Sequence, residues 1–84
     1  MYRYEFTPEA RNKFIKLTPE IRKIITKKLE YFLSSGQPLI FAGHLTNHKV
    51  GQYRFRIGDY RVIFDVEGES LVILSVGHRR EIYK

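Results

Sequence analysis

Three arginines of one predicted β-hairpin are the side chains of this 84-residue chain best suited to chemistry. The segment Tyr53–Phe64 alternates arginine with aromatic or aliphatic residues and turns at Gly58, which is typical of a hairpin with a two-residue loop. Side chains alternate along a strand, so Arg54, Arg56 and Arg61 are expected on one face, with Arg56 opposite Arg61. Like charges placed opposite each other destabilise a sheet by roughly 0.2–1 kcal/mol per pair. Because guanidinium groups bind phosphate well, the hairpin predicts an anion site, most simply a phosphate site.

We call the side that carries these arginines the arginine face. The other side, the core face, is apolar and is expected to be buried; it carries Tyr53, Phe55, Ile57, Tyr60, Val62 and Phe64. A second apolar segment, Leu71–Val76, follows the hairpin and predicts a central strand.

The N-terminal half predicts one strand and two helices. Tyr2, Tyr4 and Phe6 alternate with polar residues, which indicates a first strand. A Thr-Pro-Glu sequence begins each helix, at residues 7–9 and 18–20, since threonine caps a helix and proline suits its first turn. The first helix is expected to end near residue 17 and the second at residues 34–36. The second helix is expected to bury one stripe, formed by Ile21, Ile24, Ile25, Leu29 and Phe32.

The predicted element order is β-α-α-β-β-β, with residues 37–49 as a loop. This order predicts an α+β fold in which an N-terminal αα-hairpin packs on one face of a twisted antiparallel sheet. The length allows one small domain, residues 1–84.

Composition limits the classes of function. The net charge of +6 and the sequence pI of about 9.8 favour an acidic partner such as nucleic acid. Cysteine is absent, which excludes disulfides and thiol catalysis. We expect a cytoplasmic protein without membrane contact, since neither a signal-peptide pattern nor a membrane-length apolar run is present. The three histidines, His44, His48 and His78, have no metal-binding spacing, so neither a metal nor another cofactor is expected.

The hairpin, the short acidic turn after it, the apolar strand and the tail Gly77–Tyr83 together resemble the RelE/ParE superfamily of bacterial and archaeal type II toxins. These motifs occupy about the last 34 residues, and the predicted element order of the whole chain agrees. The resemblance implies the RelE-like microbial RNase fold and a cognate antitoxin as partner. RelE-like members cleave mRNA in the ribosomal A site, where they contact 16S rRNA, whereas ParE-like members inhibit DNA gyrase and cleave no RNA.

Carried over by motif position, the resemblance assigns roles to individual residues. Arg54 and Arg56 match a basic pair on the strand, where RelE has lysines, and Arg61 matches the arginine after the turn. Arg79 matches the tail arginine, with Arg80 as the alternative counterpart, and Tyr83 matches the C-terminal tyrosine that stacks on a base. The remaining residues expected to contact RNA are Arg80, Lys49 and Lys84.

RNA cleavage also requires proton transfer, and the motif residues include no clear base for it. A guanidinium group stays protonated at any working pH and cannot act as a base. Histidine suits proton transfer near neutral pH, and the nearest histidines are His78 and His48. The structural alternatives are that His78 caps the strand end and that His48 is solvated. Three roles are open for the Tyr83 side chain: stacking on a base, relaying a proton, or packing on the core.

The sequence therefore predicts the toxin of a type II toxin-antitoxin system, most simply a metal-independent and ribosome-dependent endoribonuclease. The reaction would be attack of the substrate's 2′-hydroxyl on the adjacent phosphate. A ParE-like gyrase inhibitor is the rival hypothesis. A family member that binds RNA or antitoxin without cleaving is the third.

Overall fold

The computed structural model of the chain describes residues 1–46 and 49–83. The elements follow in the order β1 (Arg3–Phe6), α1 (Pro8–Ile15), α2 (Pro19–Ser34), a 3₁₀ turn (Pro38–Phe41), β2 (Gly43–His44), β3 (Tyr53–Ile57), β4 (Tyr60–Glu67) and β5 (Ser70–His78). Neither α1 nor α2 has the length and apolar composition needed to cross a membrane.

Both helices begin where the Thr-Pro-Glu signals predict. The Thr7 hydroxyl accepts a hydrogen bond from the Ala10 N–H at 3.1 Å, and the Thr18 hydroxyl accepts one from the Ile21 N–H at 3.3 Å. Each cap satisfies a backbone donor that the first helical turn leaves unpaired. Helix α1 ends at Ile15, slightly before the predicted residue 17. Gly36 follows α2 with φ of +79°, the left-handed conformation that ends many helices.

The sheet has five strands in the order β1-β5-β4-β3-β2 and confirms the α+β class. The sheet differs from the prediction in two details. Strand β1 pairs with β5 in parallel, so the sheet is mixed. The two helices carry the chain from β1 to β2 at the opposite edge, and β3, β4 and β5 then return to β1. The short strand β2 lies inside the predicted loop, where two residues give no alternation that a sequence pattern could reveal.

The helices cover the core face of the sheet. Phe55 is fully buried between Phe32 of α2, at a ring-centroid distance of 4.6 Å, and Phe64 of β4, at 4.5 Å. Ile25 and Leu29 of α2 are buried as predicted, but Ile24 is 52% exposed, so its assignment to the buried stripe is wrong. The spacing of about 100° per residue puts Ile24 at the margin of the stripe that Ile25, Leu29 and Phe32 form.

An irregularity between β4 and β5 shifts the alternation of β5. Phe64 pairs with Ile73 whereas Ile63 pairs with Ser75, so Leu74 is the extra residue of a bulge. The buried apolar residues of β5 are therefore Leu71, Ile73 and Val76, and a strict period of two does not hold along this strand.

Ile63 forms a small apolar centre on the arginine face. It is fully buried although it lies on the face of Arg54. Gly51 lies directly against it: a Cβ atom at Gly51 would be 2.5 Å from Ile63 Cγ2. Gly51 also has φ of +153°, which disfavours any side chain there.

Gly51→Ala should lower the free energy of unfolding by about 1–3 kcal/mol, because the β-branched Ile63 side chain cannot move out of the way. Urea denaturation measures the change. Gly77→Ala is the matched control, since a Cβ atom there would meet Ile82 Cδ1 at an ordinary 3.6 Å. Equal effects of the two substitutions would contradict the steric argument.

Candidate functional site

The arginine face has the predicted register. Arg56 pairs with Arg61, Arg54 pairs with Ile63, and the loop between the strands consists of Gly58 and Asp59. Gly58 has φ of +60° and Asp59 does not have a positive φ, which is the pattern of a type II′ turn. The hairpin therefore brings its three arginines to one side of the sheet.

The three guanidinium groups differ in the hydrogen bonds that they already make within the protein. Arg61 is half-buried and its Nη1 donates to the carbonyl oxygens of Gly58 and Tyr60, both at 2.9 Å. Arg56 is exposed, and within residues 1–46 and 49–83 its side chain has no hydrogen-bond or ion-pair partner. Arg56 is thus the arginine most available to an incoming anion, whereas Arg61 also closes the turn.

Arg54 and Tyr83 contact each other directly. Arg54 Nη1 donates to the Tyr83 hydroxyl oxygen at 3.3 Å, although 29 residues separate them in the sequence. The other side of the Arg54 guanidinium lies over Gly43 of β2, where a Cβ atom would be 3.6 Å from Nε and Nη2. Tyr83 stays 49% exposed, so much of its side chain is open to solvent.

The tail is tethered to the hairpin turn. The Arg79 N–H donates to the Asp59 carbonyl oxygen at 2.7 Å, and Arg79 Nε lies 3.7 Å from Asp59 Oδ1. Beyond Arg79 the chain turns back, with the Ile82 N–H donating to the His78 carbonyl oxygen at 3.0 Å. This turn places Ile82 against Gly77 of β5, next to Tyr83.

His78 lies on the side of the sheet away from the arginines. It pairs with Tyr60 in the register, and the two rings meet edge to face at a centroid distance of 5.5 Å. Its Nδ1 accepts a hydrogen bond from the Arg80 N–H at 3.1 Å. His78 lies on the same side of β5 as Val76, but the bulge at Leu74 breaks that alternation for the earlier residues of the strand.

The other sequence-predicted residues are distributed around this site. Lys49 lines the same cleft as Tyr83, and Arg80 is exposed on the tail. His44 packs against Tyr53 at a centroid distance of 4.8 Å. His48 and Lys84 lie outside the described residues. Among the described residues, no group of three or more metal-ligating side chains comes together.

Lys13 lies beside the site, and the sequence analysis did not predict it there. Its Nζ donates to the Ser75 hydroxyl at 3.1 Å, and both residues line the cleft that Tyr83 and Lys49 also line. That cleft has a volume of about 720 Å³. A lysine on a short helix has the sequence signature of a solvated residue, so only the packing of α1 beside β5 reveals its position.

Perturbed pKa values occur beside β1. Burial, and to a smaller extent the charge of Glu30, raise the pKa of Tyr4. A hydrogen bond and charge attraction from the N-terminal amino group lower the pKa of the exposed Glu69. Both groups line an apolar groove of about 810 Å³ next to α2.

Comparison with known proteins identifies the family of this chain. Residues 4–83 match the family model described as "ParE toxin of type II toxin-antitoxin system, parDE". Toxin RelG of Mycobacterium tuberculosis is 32% identical over 87 residues, which cover 99% of this chain and 97% of that protein.

Solved structures also match this chain. A chain of the RelBE2 toxin-antitoxin complex of Mycobacterium tuberculosis superposes with a TM-score of 0.79 at 31% identity, covering 93% of this chain and 98% of that one. A chain of the RelB–RelE complex of Methanococcus jannaschii superposes with a TM-score of 0.70 at 24% identity, covering 93% of each chain, which supports the fold alone. The chain belongs to the RelE/ParE family and is a type II toxin-antitoxin toxin.

Asp59→Asn should lower the free energy of unfolding by less than about 1 kcal/mol, because the Arg79–Asp59 ion pair is exposed. The amide of Arg79 should stay protected in hydrogen exchange, since it donates to the Asp59 backbone carbonyl. Arg79→Gln, which removes the other charge, should give the same small effect. Fast exchange of the Arg79 amide in Asp59→Asn would instead show that the side-chain pair anchors the tail.

Proposed function

We propose that this toxin is a RelE-like endoribonuclease that cleaves mRNA in the ribosomal A site without a metal ion. The observation that carries the proposal is the arginine face, where Arg54, Arg56 and Arg61 share one side of the hairpin and Arg54 bonds Tyr83. The 32% identity to a protein named Toxin RelG, over nearly the whole of both chains, supports the same activity class.

In the proposed reaction the RNA 2′-hydroxyl oxygen attacks the adjacent phosphorus, and the bond from phosphorus to the 5′-oxygen of the next nucleotide breaks, which leaves a 2′,3′-cyclic phosphate and a 5′-hydroxyl. Solvent water takes the 2′-hydroxyl proton and protonates the leaving 5′-oxygen. The phosphorane between these states carries additional negative charge. Fixed cations stabilise such a charge as it develops, and this is usually the largest catalytic effect of a site. Arg56, exposed and without a partner among the described residues, is assigned to the phosphorane oxygens. Arg54 and Arg61 are already oriented by hydrogen bonds, so they lose little freedom when they bind the phosphate.

The tail supplies the remaining proposed contacts. Arg79 is tethered to the same turn that Arg61 closes, so it is assigned to the leaving group, with Arg80 as the alternative. Tyr83 is assigned to stacking on a base. Lys49 lines the adjacent cleft and is assigned to the RNA backbone. Lys84 is assigned to the same kind of contact.

Proton transfer is not assigned to His78 in this proposal. That residue lies with Tyr60 on the other side of the sheet, and its Nδ1 is occupied by the Arg80 N–H. The arginine face then contributes orientation and charge stabilisation, neither of which needs a base on the protein.

The proposed partners are the ribosome with its mRNA and a cognate antitoxin. The RelBE2 structure, which matches at 31% identity, is a toxin-antitoxin complex, and this supports an antitoxin for this chain as well. RelE-like members of the family contact 16S rRNA in the A site, and a net charge of +6 suits such an acidic partner.

A ParE-like gyrase inhibitor is the second candidate function. It is favoured by the description of the matching family model, which names ParE, and by arginines at the strand positions where RelE has lysines. In this reading the arginine face binds a protein surface or DNA, and no bond is cleaved.

Mapping of mRNA 5′ ends on translating ribosomes tests the proposal, with Arg56→Ala as the inactive variant. The toxin should produce cuts in phase with codons, and Arg56→Ala should lower the cleavage rate by roughly 100-fold, the effect of losing one transition-state contact. Lys23→Ala, an exposed cation on α2, is the control and should cleave normally. Intact mRNA together with arrested DNA replication would overturn the proposal in favour of gyrase inhibition.

Two substitutions at Tyr83 separate stacking from proton relay. If Tyr83 stacks on a base, Tyr83→Phe should keep most of the cleavage rate, since the ring is retained. Tyr83→Ala should lose roughly 5- to 150-fold, the equivalent of about 1–3 kcal/mol per stacked base. Equal losses in the two variants would assign the function to the hydroxyl, which bonds Arg54.

A further inference from the structure

One row of residues crosses the sheet on the arginine face. The pairing register aligns Gly43 of β2 with Arg54 of β3, Arg54 with Ile63 of β4, and Ile63 with Ser75 of β5. Lys13 of α1 extends the row, because its Nζ donates to the Ser75 hydroxyl at 3.1 Å. The row therefore has a cation on each side of the buried Ile63, Arg54 on one and Lys13 on the other.

Tyr83 connects the two halves of this row. Its hydroxyl accepts from Arg54, and it also lines the cleft that holds Lys13 and Ser75. Neighbouring strands are about 4.8 Å apart, so the backbones of β3 and β5 are separated by roughly 10 Å in this row. An anion beside Lys13 would thus be separate from an anion beside Arg54, with Tyr83 between them.

The cleft at the Lys13 end has the lining expected for an anionic polymer. Its volume is about 720 Å³, and Lys13 and Lys49 line it together with the hydroxyl-bearing Ser75 and Thr7. Among the described residues that line this cleft, Glu9 is the one with an acidic side chain. The bond to Ser75 holds the Lys13 ammonium in place before any ligand arrives, which lowers the entropy cost of binding.

We propose that this cleft binds the backbone phosphate next to the nucleotide that stacks on Tyr83, with Lys13 as the contacting cation. RNA then crosses the sheet along the row, from Arg54 over Tyr83 to Lys13. This inference rests on the proposed function, because it assumes that RNA occupies the arginine face.

Binding of single-stranded RNA by the full chain tests this path. The probe is a fluorescent RNA oligonucleotide with 2′-O-methyl riboses, which cannot undergo 2′-hydroxyl attack, and fluorescence anisotropy is measured over a range of salt concentrations. Lys13→Ala should weaken binding roughly three- to tenfold and reduce the slope of log K against log salt by about 0.7, the loss of one phosphate contact on a single strand. Lys13→Arg should restore both quantities, because it keeps the charge.

Lys27→Ala is the matched control, since Lys27 is an exposed cation on α2, away from this cleft. It should lower the affinity less than Lys13→Ala does, and thermal denaturation should show that both variants fold. If Lys13→Ala loses no more affinity than Lys27→Ala, the path is overturned while the proposed function stands. If the unaltered chain neither binds this RNA nor cleaves A-site mRNA, the proposed function fails and this path fails with it.

Discussion

The burial of one side of the β3–β4 hairpin is the constraint on which the rest of the molecule depends. Phe55 is fully buried between the rings of Phe32 and Phe64, and each such aromatic contact contributes about 0.5–1.5 kcal/mol beyond area burial. A slip of one residue would exchange the two faces and bury the arginines. Burying an unpaired charge costs far more than the roughly 0.2–1 kcal/mol of repulsion between Arg56 and Arg61. The core therefore fixes where the arginines point.

The turn of that hairpin also organises the tail. Arg61 donates to the carbonyl oxygens of Gly58 and Tyr60, and the Asp59 carbonyl accepts from the Arg79 N–H. One turn thus orders a strand arginine and a tail arginine at once. Further along, the tail places the Tyr83 hydroxyl on Arg54, so the two ends of the proposed site are held by separate contacts to the same hairpin.

Local patterns predicted the parts of the fold that depend on local physics. The hairpin register and both helix caps follow from alternation, turn residues and threonine spacing, and all three are confirmed. The parallel pairing of β1, the bulge at Leu74 and the position of Lys13 depend on how distant elements pack, which no short pattern records. Ile24 shows the same limit within a helix, because only the partner surface decides how wide a buried stripe is.

The exposure of the arginine face bears on when the proposed cleavage would be efficient. The attraction energy of two opposite unit charges 4 Å apart is only about 1 kcal/mol in bulk water. It is about 4 kcal/mol at the effective dielectric constant near a protein surface. Arg56 is exposed in the isolated chain, so its attraction for a phosphorane is near the weaker limit. A large partner that covers the face would exclude water and strengthen the interaction several-fold. The exposure of Arg56 is a physical reason for the ribosome dependence in the proposed function, because the A site would supply the low-dielectric surroundings that this arginine lacks in the isolated chain.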